Sequence, residues 1–85
     1  MNNNLNYHQS LSQTKQILAW LQSGNTITAI EALEKFGCFR LASRINDLKN
    51  GGYIINRRSI IKNGKRVAQY YIADASEIED VIFEN

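Results

Sequence analysis

The stretch Thr28-Ala29-Ile30-Glu31-Ala32-Leu33-Glu34-Lys35-Phe36-Gly37-Cys38-Phe39-Arg40-Leu41-Ala42-Ser43-Arg44-Ile45-Asn46-Asp47-Leu48 decides the fold. Thr28 to Glu31 form a capping box, with threonine at the N-cap and a glutamate three residues on that can reach back to it. The helix opened there is expected to turn Ile30, Leu33 and Phe36 inward and Glu31, Glu34 and Lys35 outward. Gly37 ends it after about two turns. Another helix begins almost at once, from Phe39 or Arg40 to about Lys49, and Asn50-Gly51-Gly52 terminates it. Leu41, Ile45 and Leu48 recur at i, i+4 and i+7 and define its buried side, with Ala42 allowing close approach. Arg40, Ser43, Arg44 and Asp47 fall on another side.

Upstream, Ser12 is a suitable N-cap for a first helix. Ile17, Leu18 and Leu21 give that helix an apolar stripe, Ala19 and Trp20 widen it, and Gly24 stops it. Residues 1–11 are polar, rich in Asn and Gln and without sustained period, and read as a flexible lead-in. Asn25-Thr26-Ile27 leaves room for a minimal strand at most. Downstream of Gly52 the period changes. Tyr53-Ile54-Ile55 opens a β-branched run reaching Ile61, and Val67 to Ile72 supplies a second. Between them, Lys62-Asn63-Gly64-Lys65 centres on the Asn-Gly pair of a two-residue hairpin. Setting Lys62 opposite Lys65 brings Ile60 to Val67 and Ile55 to Ile72, so the hydrophobic partners agree. Ser76 to Phe83, with Ile78, Val81 and Ile82 at i, i+3 and i+4, reads as a last short helix. The order helix, short extended piece, helix, helix, hairpin, helix is a winged helix-turn-helix arrangement, mainly α with a β-hairpin (α+β). Residues 12–73 form that domain, and residues 74–85 an acidic C-terminal segment.

Composition excludes several classes. At 85 residues the chain is a single domain. Its apolar runs are too short for a transmembrane helix, and its start lacks the basic and apolar regions of a signal peptide. One cysteine, Cys38, rules out an intramolecular disulfide, suits a reducing cytoplasm and reads as a small core residue. One His and one Cys cannot build a zinc site from this chain alone, so no metal or cofactor is expected. No P-loop, GxSxG, HExxH or carboxylate pair appears, and His8 has no acid or nucleophile beside it in sequence, so no enzyme is expected.

The charges are segregated. Residues 38–66 carry eight bases and one acid, a net +7, whereas residues 74–85 carry five acids and no base. A basic middle points to a polyanionic partner. On the helix after Gly37, arginine can donate twice to guanine, serine can bond several base edges, and aspartate can accept from cytosine. Arg40, Ser43, Arg44 and Asp47 are therefore the candidate base contacts, and Asp47 can also orient Arg44 or Arg40 by an ion pair. Lys49 and the hairpin residues Arg57, Arg58, Lys62, Asn63, Lys65 and Arg66 are the candidate phosphate or minor-groove contacts, with the bases clustering at or beside the hairpin tip. Duplex DNA is the expected partner, bound by a dimer or by cooperative neighbours. A winged-helix adaptor that binds protein through residues 74–85 is the alternative. Tyr53, Tyr70 and Tyr71 are expected to pack across strands, although tyrosines also stack on unpaired bases.

Residues 28–48, followed by Asn50-Gly51-Gly52-Tyr53-Ile54-Ile55 and by Asn63-Gly64-Lys65-Arg66-Val67-Ala68-Gln69-Tyr70, resemble a family of small helix-turn-helix proteins of bacteriophages and prophages. The likeness covers about Gln13 to Ile72, and Phe36-Gly37-Cys38-Phe39-Arg40-Leu41-Ala42-Ser43-Arg44-Ile45 is its most specific part. It implies a phage-type winged-helix DNA-binding domain, with Arg40 and Arg44 on the recognition helix and Lys65 and Arg66 in the wing; a transcription regulator of a phage or prophage is the expected role. The location it implies is the cytoplasm of a bacterial host, at the nucleoid. The Asn-rich start and the acidic end lie outside the likeness.

Overall fold

The computed structural model describes residues 2–73, with side chains from Leu11 onward. In chain order it contains α1 (Asn2–Gln22), β1 (Ile27–Thr28), α2 (Ala29–Phe36), α3 (Leu41–Asn50), β2 (Asn56–Lys62) and β3 (Lys65–Tyr71). The strands form one antiparallel sheet in the order β1-β3-β2, so β3 lies in the middle. Among the described residues, three helices with this sheet make the winged helix-turn-helix plan. The expected helix over Ser76 to Phe83 and the acidic segment lie outside the described residues.

α1 starts at Asn2, ten residues before the expected Ser12 cap and across the stretch read as a flexible lead-in. No Gly or Pro interrupts Asn2–Gln22; Asn and Ser lower helix propensity without stopping a helix, and Gln is a good helix former. The stop comes at Gly24, whose φ of 91° takes the chain out of the helical region.

α2 departs from its expected orientation. Its buried residue is Ala32, whereas Ile30 is 56% and Leu33 36% exposed. Both helix ends explain this. The capping box ties Glu31 back to Thr28: the Thr28 N–H donates to Glu31 Oε1 at 2.9 Å, and the Glu31 N–H donates to Thr28 Oγ1 at 3.4 Å. At the other end, Gly37 adopts φ 64°, and the Cys38 N–H donates to the Ala32 carbonyl at 3.1 Å. The chain thus folds back over Ala32, and that small side chain faces the core. Phe36 is half-buried and meets Trp20 edge to face at 6.1 Å.

The core draws on each helix and on the sheet: Ile17 and Leu21 of α1, Ile27 of β1, Ala32 of α2, Cys38, then Leu41, Ile45 and Leu48 of α3, and Ile55 ahead of β2. Burying each large aliphatic side chain contributes about 1.5–3 kcal/mol. Leu41, Ile45 and Leu48 are buried as their spacing requires, but Ala42, expected to allow close approach, is exposed. It lies about 100° around α3 from Leu41, outside the narrow buried strip.

The hairpin keeps the expected register, with Lys62 opposite Lys65 and Ile60 opposite Val67. Asn63 and Gly64 both take positive φ, 53° and 75°, the backbone of a type I′ turn. Pairing ends at Asn56 and Tyr71, one residue short of the expected Ile55–Ile72 pair.

Thr28→Ala removes the side-chain half of the capping box and should lower stability by about 1 kcal/mol, while Thr28→Ser retains most of it. Urea denaturation of both variants checks this.

Candidate nucleic-acid interface

α3 is placed by the turn before it. Gly37 reverses the chain, the Gln13 side chain donates to the Gly37 carbonyl at 3.2 Å, and Cys38 plugs into the core. Arg40 is the N-cap, its carbonyl accepting from the Ser43 and Arg44 N–H groups at 3.1 and 3.2 Å. With Leu41, Ile45 and Leu48 held inside, the opposite face is presented to solvent.

Arg40, Ala42, Ser43, Arg44, Asn46 and Asp47 line one shallow concavity along that face. All four candidate base contacts are therefore brought together. They are not equivalent, however. Arg40 is exposed, whereas the Arg44 side chain is only 16% exposed because it leaves α3 close to the buried strip. Its Nε lies 3.1 Å from Asp47 Oδ2, at an angle that makes the contact an ion pair rather than a hydrogen bond. Of the two arginines that Asp47 could orient, the structure pairs it with Arg44. Asn46, which sequence reasoning missed, stands exposed between Ala42 and Asp47. Its signal was its position, three residues after Ser43 and one after the buried Ile45.

A second groove runs between the start of α3 and the hairpin. Arg40 and Ala42 line it on one side, and Lys62, Asn63 and Lys65 on the other, with Ile30, Val67 and Tyr70 among its apolar walls. Arg40 and Ala42 border both depressions, so the α3 face and the hairpin tip form one continuous surface.

The hairpin's basic residues divide by position. Lys62 and Lys65 oppose each other at the tip and share a sheet face, while Arg66, opposite Ile61, emerges on the other. Like charges placed directly opposite are unfavourable, and an anion between them relieves the repulsion. Glu31 Oε2, 3.9 Å from Lys62 Nζ, offsets part of it and ties the tip to α2. Arg57 and Arg58 do not sit beside the tip as expected. They pair with Tyr70 and Gln69, about 14–17 Å down the strand from Lys62. Arg58 is also engaged locally: its Nε donates to Gln69 Oε1 at 2.8 Å, and its guanidinium lies 4.8 Å from the Tyr71 ring centre. Lys49 is exposed in the last turn of α3 and lines neither depression.

Tyr70 is half-buried against the core and opposes Ile27 and Arg57. Tyr53 precedes the hairpin and is 40% exposed. Among the described residues, no group of three or more His, Cys, Asp or Glu is placed to hold a metal ion, and no helix is long and apolar enough to cross a membrane.

A family model described as a winged helix-turn-helix domain matches residues 12–75. Neither the curated proteins nor the solved structures yield a match.

The Arg44–Asp47 pair should contribute about 0.3–0.5 kcal/mol, the range for ion pairs on a helix surface. A double-mutant cycle of Arg44→Ala and Asp47→Ala, read by thermal melting, checks it. A coupling of zero would mean that the two groups are merely close.

Proposed function

Because this chain belongs to the winged helix-turn-helix family, we propose that it binds double-stranded DNA sequence-specifically, as a transcription regulator of the phage or prophage type. The observation that carries the reading is the continuous surface joining α3 to the hairpin tip through Arg40 and Ala42. α3 enters the major groove, where Arg40 and Ser43 meet base edges and Arg44 and Asp47 act as a coupled pair at the margin. Lys62, Asn63, Lys65 and Arg66 hold the sugar-phosphate rail or the adjacent minor groove. Arg57, Arg58 and Lys49 add longer-range attraction and contact phosphates only where the duplex extends from the tip toward the base of the hairpin.

The division of labour follows from chemistry. Lysines at a narrow tip are mobile point charges suited to phosphate, whereas arginine's planar fork matches the paired acceptors of guanine. A single domain of this size makes few contacts, so two copies on a two-fold site supply the affinity and set the half-site spacing.

Fluorescence anisotropy with a random duplex pool tests the proposal. About 4–6 phosphate contacts give a log–log salt slope of roughly −4 to −5. Replacing Lys65 and Arg66 with alanine should flatten that slope by roughly 2 and weaken binding alike on all sequences. Failure of folded protein to bind any duplex at low salt would overturn the reading and favour a protein-binding role.

A further inference from the structure

Resting on the proposal that α3 enters the major groove, we infer that Asn46 is the principal base-reading residue of this face, and that it reads adenine. Leu41, Ile45 and Leu48 are 3%, 2% and 4% exposed and fix the inward direction of α3. At about 100° per residue, the outward direction passes between Ser43, Asn46 and Asn50. Arg44 leaves the helix only about 60° from the inward direction, which accounts for its low exposure, and the i,i+3 spacing brings Asp47 to it. Asn50 is the last residue of α3, and Asp47, as far from the outward direction as Asn46, is held by Arg44. That leaves Ser43 and Asn46 as the outward polar side chains in the body of the helix that make no ion pair. Ser43 is half-buried and Asn46 exposed. Neither makes a side-chain hydrogen bond or ion pair among the described residues.

Between these two, the chemistry also discriminates. A hydroxyl bonds donors and acceptors alike and so selects weakly. The Asn46 amide offers one donor and one acceptor side by side, matching the N7 acceptor and N6 donor of adenine. Guanine presents two acceptors there and mismatches the amide oxygen. Ala42, exposed four residues earlier on the same side, offers a methyl group to a neighbouring thymine methyl. Arg40 lies six residues before Asn46, about 9 Å along the helix, which spans two to three base-pair steps. The site read by one copy therefore contains an adenine, with a guanine two or three base pairs away.

Selection from a random duplex library with the wild type, Asn46→Ala and Arg44→Ala tests this. The wild type should enrich a motif containing adenine. Asn46→Ala, exposed and without partners to lose, should melt like the wild type and lose the adenine preference at one position, by about tenfold, with the rest of the motif intact. Arg44→Ala should keep that adenine. If Asn46→Ala enriches the unchanged motif, or the position it relaxes is not adenine, the inference fails while DNA reading stands. If the folded wild type enriches no motif, sequence-specific reading and this inference fail together.

Discussion

Thr28 is the residue on which the geometry of the molecule turns. Its backbone belongs to β1 and faces Gln69 of β3, its side chain caps α2, and it is 1% exposed. One buried residue thus fixes the angle between the sheet that carries the hairpin and the helix that precedes α3. Glu31 extends the constraint, closing the capping box with one carboxylate oxygen and holding Lys62 at the hairpin tip with the other. A hairpin joined to its domain only through its base would swing freely. Here the tip is tied to α2 by an ion pair that is weak alone but adds to a capped helix and a strand pair.

That constraint gives the surface charge its meaning. The overall charge is only +2, yet Arg40 at the start of α3 and Lys62 and Lys65 at the tip converge on one groove. Lys62 opposite Lys65 raises the free energy of the hairpin slightly, a cost that an anion bound between them would offset. Arg44, in contrast, is held close by Asp47 and contributes order to the outward face more than reach.

Much of this was legible in the sequence because the signals were local. The Thr28–Glu31 box, the Asn63-Gly64 turn and the Leu41, Ile45, Leu48 spacing each depend on a few neighbouring residues. What failed depended on packing. A helix as short as α2 buries only a narrow strip, and hydrophobicity alone chose Ile30 and Leu33 where the fold uses Ala32. The extent of α1 was missed because a polar segment with no breaker has no apolar period to announce it. Arg57 and Arg58 were placed with the tip because closeness in sequence hides the length of a strand. Asn46 was passed over because charged residues on either side drew the reading toward arginine and aspartate.

If the outward face of α3 and the hairpin tip act as one duplex-binding surface, both must respond to DNA in a single event. NMR titration of the labelled protein with duplex DNA tests this most directly. Amide shifts should move together at Arg40–Asp47 and at Lys62–Arg66, along one saturation curve. Binding that perturbs only one of these segments, or that centres on α1, would contradict a shared surface.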